Sequence, residues 1–155
     1  AVSGPIGDGW LGLRAARGEL ADADLAMRYR LPEPRLDLRA LLLDQARAAA
    51  DISDGLLADA GHIARASGCG VSIDLGRLPL SAGAMAWLSG QPDSRAARLA
   101  LATGGDDYQI VCALDPGRAT PPQLTVVGVF GAGQGVTATF DGVAVPVGRL
   151  GWTHD

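Results

Sequence analysis

The run "ADISDGLLADAGHIARASGCGVSIDL", residues 50–75, changes pattern three times. From Leu56 onward, Leu56, Leu57, Ala60, Ile63 and Ala64 recur at helical spacing, while Asp59, His62 and Arg65 fall on the opposite, polar side. Ser67-Gly68 ends that helix. Residues 70–75, "GVSIDL", alternate with period 2 and read as a strand. Upstream, "AAADI" is short enough to end a buried strand. The unit is strand, corner, helix, strand, and Asp51-Ile52-Ser53-Asp54-Gly55 occupies the corner.

Outward from this unit, a glycine-rich turn in "SGPIGDGWLGLRAARGEL" runs into a helix from about Trp10 to Glu19, with Leu11, Leu13 and Ala16 as its apolar side. A second helix covers roughly 22–30. Pro32 and Pro34 break it by forcing the residues before them out of helical dihedrals. The spacing of Leu38, Leu41, Leu42, Gln45 and Ala49 predicts a helix from near Asp37 to about Ala49. Further helices are expected around 82–88 and 95–102, and strands at 108–114 and 123–130. "VTATF" and "VAVPV" flank Asp141-Gly142, a strong hairpin turn. Helices fill the first hundred residues and strands the last fifty, without regular alternation. The expected fold class is therefore α+β, with helices packed on a mostly antiparallel or mixed sheet.

The 155 residues make about one domain, and 48% of them are hydrophobic. Net charge is −4, and all 13 cations are arginine, since the chain has no lysine. That excludes a P-loop or Schiff-base lysine within it. No basic stripe offers itself to nucleic acid. No run approaches the roughly 18 apolar residues of a membrane span, and no signal peptide is visible. The expected compartment is the cytoplasm. Cys69 and Cys112 sit in apolar settings and read as buried structural thiols. The chain opens Ala1-Val2-Ser3-Gly4 without an initiator Met, as if entered mid-protein.

Two stretches bear on chemistry, and each supports two readings. At the corner, Ser53 or Asp54 is an ordinary N-cap, typically worth about 1 kcal/mol, with Asp51 a surface carboxylate. Alternatively, Asp51 and Asp54 bind Mg²⁺ beside the unpaired amides of a helix N-terminus, where Ser53 donates to a phosphate and Gly55 lets the backbone approach. "TGGDDY", residues 103–108, is either a helix stop and turn or a pair of carboxylates facing a pocket. Trp152 is a packing anchor or stacks on a flat cationic ring. His62 and His154 have no metal-ligand spacing and read as surface residues.

In this order, "VSGPIGDGWLGL", "RLPEPRL", "ADISDGLLADAGHIARASGCGVSIDLGRLPLS", "GGDDYQIV" and the terminal "GW.H" resemble the C-terminal half of the bacterial thiamine-monophosphate kinase family. That family lies in the aminoimidazole-ribonucleotide-synthetase superfamily. The resemblance implies ATP- and Mg²⁺-dependent phosphorylation of thiamine monophosphate to thiamine diphosphate. It matches Asp51 and Asp54 to Mg²⁺ ligands, Ser53 to an ATP contact, and Asp106 and Trp152 to substrate contacts; no residue here matches a catalytic acid or base. The family usually has Glu at the position of Asp106, and here Thr153 and Asp155 replace an acid and an aromatic in the tail. The resemblance also implies a missing N-terminal domain that brings further aspartates, much of the ATP site and a homodimer interface. Residues 1–155 would then be a single C-terminal domain, with little activity alone. Other expectations are a sister ATP-using activity (hydrogenase maturation, selenophosphate or purine synthesis) or a non-catalytic module that binds thiamine phosphates.

Overall fold

The computed structural model describes residues 1–153; His154 and Asp155, part of the expected tail motif, lie outside the described residues. Helices α1 (Asp8–Ala16), α2 (Ala23–Arg30) and α3 (Arg39–Gln45) come first. Then follow β1 (Ala46–Asp51), α4 (Leu56–Ala66), β2 (Gly70–Asp74), α5 (Ala82–Ser89) and α6 (Ser94–Thr103). Four strands close the order: β3 (Ile110–Leu114), β4 (Gly128–Gly131), β5 (Gly135–Phe140) and β6 (Val143–Val145).

The α+β expectation holds, but the strands form two sheets where one was expected. In the first, β1 and β3 pair antiparallel from Ala46 opposite Leu114 to Asp51 opposite Ile110, with an irregularity between Ala46 and Ala48. The second has the order β4-β2-β5-β6. Its β2 and β5 run parallel, and its other two pairs are antiparallel. Asp141 and Gly142 join β5 to β6 with φ of 51° and 75°. Both central residues are left-handed, as a type I′ turn requires.

The buried face of α4 joins the two sheets. Leu56, Leu57, Ala60, Ile63 and Ala64 share one core with Val111 of β3, Val71 and Ile73 of β2, and Ala138 of β5. Leu56 and Leu57 are fully buried, and each such side chain contributes roughly 1.5–3 kcal/mol. A smaller helical core holds Leu11, Leu25, Ala84 and Leu101. Trp10 and Trp87 meet edge to face beside it at 5.4 Å. Side-chain caps fix three helix starts: Asp22 accepts from the Leu25 amide, Ser81 from Ala84, and Asp93 from Arg95 and Ala96. Among the described residues, no helix is long and apolar enough to cross a membrane.

Three expected boundaries move. The helix expected to reach Ala49 stops at Gln45, because residues 46–51 pair with β3 instead. Alanine has the highest helix propensity, but such propensity is a weak force, and a strand ladder with Ala48 and Ala50 packed on the core outweighs it. The strand expected at 123–130 begins only at Gly128. Before it, the Thr125 backbone exchanges two 2.8 Å hydrogen bonds with Val2, so the N-terminal segment takes that edge. Finally, α1 spans Asp8–Ala16 instead of 10–19; Leu11 is buried while Leu13 and Ala16 are only half-buried. Cys112 is buried as expected, whereas Cys69 is half-buried against the core; both are free thiols.

Candidate functional site

The corner after β1 is built from backbone contacts. Beyond the last β1–β3 pair, the two segments stay hydrogen-bonded while their register slips: the Ile52 amide donates to the Gln109 carbonyl at 2.7 Å, and the Tyr108 amide donates to the Ile52 carbonyl at 2.9 Å. One step further, the Asp106 amide donates to the Ser53 carbonyl at 2.8 Å. The Trp152 amide donates to the Asp54 carbonyl, also at 2.8 Å. Residues 51–55, 105–109 and 151–152 therefore meet on the carbonyls of Ser53 and Asp54. Gly151 lies so close to the Asp54 carbonyl that a Cβ there would overlap it. Three motifs far apart in sequence form one surface.

The expected cap is not what holds α4. Neither Ser53 nor Asp54 is its N-cap; Gly55 is, with φ of 123° and no side-chain cap bond. That dihedral is open to glycine and strained for any other residue. The acceptor comes from Asp59, which the helical pattern places on the polar side. Asp59 is in fact 6% exposed. Its Oδ2 accepts from the amides of Ser53, Asp54 and Gly55 at 3.1, 3.1 and 3.2 Å. Burial pushes the Asp59 carboxyl above its ordinary range in spite of these three donors. The chain bends inward here because an inward carboxylate satisfies three amides that a turn would otherwise leave unpaired.

Asp51 ends β1 and is exposed, while Ser53 and Asp54 are half-buried. Among the described residues, ligand atoms of Asp54, Asp59 and His62 lie within 4.8 Å of one another. Asp51 is not a member of that cluster. His62 Nε2 stands 4.0 Å from Asp54 Oδ2, and the ring is exposed as expected. Carboxylate oxygens suit a hard cation such as Mg²⁺, whereas an imidazole does not. Asp51 and Asp54 therefore fit Mg²⁺ by donor type.

Asp106 lies on the other side of this junction. Its φ is 59°, and that of Tyr108 is 50°. Left-handed dihedrals at non-glycine residues are uncommon and each costs of order 1 kcal/mol, a pattern concentrated at functional loops. The Tyr108 hydroxyl reaches Asp106 Oδ1 at 3.4 Å, and the nearby Asp106 charge raises the Tyr108 pKa. Asp106 lines an open cavity of about 950 Å³ together with Asp8, Gly9, Arg28, Arg35 and Gln109. With Glu33, Asp37 and Asp107 also in the lining, five acids stand against two arginines, so the cavity suits a cationic group.

Trp152 does not line this cavity. It is 61% exposed, and the Arg149 guanidinium stands 5.3 Å from its ring. The structure thus joins Trp152 to the corner through its backbone and leaves its ring outward.

The reading of "TGGDDY" as a carboxylate pair included Asp107 but not its partners, and sequence reasoning missed Asp8. Asp107 Oδ1 and Oδ2 accept from the Gly7 amide at 3.0 and 2.8 Å, and Oδ1 also accepts from Gly9 at 2.9 Å. It caps α1 from a hundred residues away. Burial pushes its pKa up to about 7. Asp8 is 6% exposed and accepts from Arg28 at 2.7 Å and from the Ser81 hydroxyl at 2.6 Å, tying α1 to α2 and α5. Only the "GDG" and "GGDD" clusters hinted at these roles, because the partners of both carboxylates come from distant segments.

A family model described as "AIR synthase related protein, C-terminal domain" matches residues 1–141. The chain is 55% identical to a thiamine-monophosphate kinase of Caulobacter vibrioides, over 99% of this chain and 47% of that protein. It is similar to a solved structure described as "AaThiL complexed with AMPPCP and TMP", with a TM-score of 0.83 and 32% identity over 99% of this chain and 50% of that one. A solved thiamine-monophosphate kinase from Stenotrophomonas maltophilia K279a gives a TM-score of 0.74 and 34% identity over 93% of this chain and 50% of its own. The chain spans about half the length of these relatives. With a match that takes in nearly all of its residues, the chain belongs to the AIR synthase related proteins, as their C-terminal domain.

Proposed function

We propose that this chain is the C-terminal half of an enzyme that transfers the γ-phosphoryl group of ATP to thiamine monophosphate, giving thiamine diphosphate and ADP. The observation that carries this reading is the meeting of the Asp51–Gly55 corner, the Asp106 loop and the Gly151-Trp152 tail on two adjacent carbonyls. The relatives named as thiamine-monophosphate kinases, and the related complex with AMPPCP and TMP, support it.

In the transfer, a phosphate oxygen of thiamine monophosphate forms a bond to the γ-phosphorus as the bond to the ADP oxygen breaks. Such a reaction depends on positioning and charge neutralisation, with little covalent work for side chains. Asp51 and Asp54 would hold Mg²⁺, which when bound neutralises phosphate charge. The Ser53 hydroxyl donates to a phosphate oxygen of ATP. The amides expected to meet phosphate are already committed: those of Ser53, Asp54 and Gly55 are taken by Asp59, and Leu56 and Leu57 are fully buried, so charge neutralisation falls to Mg²⁺. Asp106 lies against the cationic thiazolium from its acidic cavity. The exposed Trp152 ring, now beside Arg149, is free to stack on a planar cation in its place. In this proposal an N-terminal domain outside the chain supplies the rest of the ATP site and the homodimer interface, so the chain alone turns over little or no substrate.

The test is coupled ATP turnover with thiamine monophosphate in the full-length protein. Asp51→Ala and Asp54→Ala should each lower kcat by at least 10²-fold with folding intact, in line with losing a positioned charge. Turnover equal to wild type in both variants would leave the corner a purely structural turn.

A further inference from the structure

We infer that Asp59 is the positioning residue of the corner: its single buried oxygen sets the backbone that presents Ser53 and Asp54, without itself touching substrate. This rests on the reading of residues 51–55 as the phosphate and metal site. Asp59 is the fourth residue of α4, and its Oδ2 gathers three consecutive amides. Three hydrogen bonds to one atom fix the dihedrals of residues 53–55, including the left-handed Gly55. With those amides turned inward, the carbonyls of the same peptides face outward. The Ser53 and Asp54 carbonyls then receive the Asp106 and Trp152 amides, each at 2.8 Å. One carboxylate therefore governs the junction of all three motifs.

The oxygen's commitment to the amides also bears on the role of Asp59, which falls in one cluster with Asp54 and His62. An oxygen already accepting three hydrogen bonds is poorly placed to serve as a cation ligand, while its negative charge strengthens each bond. Burying a carboxylate is costly unless it is hydrogen-bonded. Here the three amides answer that cost, so the residue is structural toward the loop and functional through it.

The experiment is amide hydrogen exchange by NMR on wild type, Asp59→Ala and Asp59→Asn, with kcat and KM measured in parallel on the full-length protein. Asp59→Ala should speed exchange at Ser53, Asp54 and Gly55 by at least tenfold and carry the effect to the Asp106 and Trp152 amides. Ile63 and Ala64, farther along α4, should be unchanged. Asp59→Asn keeps an acceptor oxygen, so its exchange should lie between wild type and Asp59→Ala; this variant also decides the matter if Asp59→Ala does not fold. The kcat/KM values should follow the same order. Unchanged exchange at residues 53–55 in folded Asp59→Ala, or exchange in Asp59→Asn as fast as in Asp59→Ala, would overturn the inference. Because exchange needs no turnover, altered exchange in a protein that never phosphorylates thiamine monophosphate would sink the functional reading and leave the positioning role standing.

Discussion

Asp107→Asn should change how stability depends on pH. In the folded chain the Asp107 carboxyl titrates at about 7, against 3.8 when free, and burial is the largest cause. The folded state thus keeps a proton that the unfolded state has released. Its contribution is full below the unfolded value and is lost as pH rises to the folded one. The gap is about three units, and each unit is worth about 1.4 kcal/mol, so about 4 kcal/mol disappears between roughly pH 4 and pH 7. Above pH 7 the contribution is flat. Asparagine keeps an oxygen for the Gly7 and Gly9 amides and does not titrate. Asp59, whose pKa is also raised, is present in both proteins and cancels in the comparison. Urea midpoints from pH 4 to pH 8 measure the difference. Wild type should lose about 4 kcal/mol relative to Asp107→Asn across that range, and the Gly7 and Gly9 amide shifts should titrate near pH 7. Parallel stability profiles for the two proteins would refute the reasoning.

Three further outcomes follow from the geometry. Gly9→Ala would drive a Cβ into the Asp106 carbonyl and its Gly105 neighbour; it should destabilise the fold by about 1–3 kcal/mol, read by urea unfolding, and raise KM for thiamine monophosphate. Asp106→Ala should raise that KM at least tenfold while changing kcat less, because it removes a binding charge outside the phosphoryl path; steady-state kinetics separate the two. Gly55→Ala must hold a φ of 123°; it should cost about 1–3 kcal/mol in the same unfolding assay and perturb the Ser53 amide in an NMR spectrum.

The helix at 56–66 and the strand at 70–74 were legible because period 3.6 and period 2 follow one another there without overlap. The hairpin at Asp141-Gly142 was legible because its chemistry is local. At the alanine run two expectations overlapped: the helix to Ala49 fails because residues 46–51 pair with a strand sixty residues away, while the strand expected to end in "AAADI" holds. The same holds for Thr125, whose edge is taken by Val2. At the site, the corner and the Asp106 loop were visible as clusters of acids and glycines. The part Asp59 plays was not, because a lone acid on a helix reads as solvent-facing until the turn before it is folded. The capping role of Asp107 was hidden for a related reason: its partners, Gly7 and Gly9, are a hundred residues upstream.

Following the phosphate itself tests the proposed phosphoryl transfer. The full-length protein is incubated with ATP labelled at the γ-phosphate, thiamine monophosphate and Mg²⁺, and the products are separated. Label is expected in thiamine diphosphate with wild type and absent there with Asp54→Ala. Label appearing only as inorganic phosphate, or remaining in ATP, would contradict the proposed transfer.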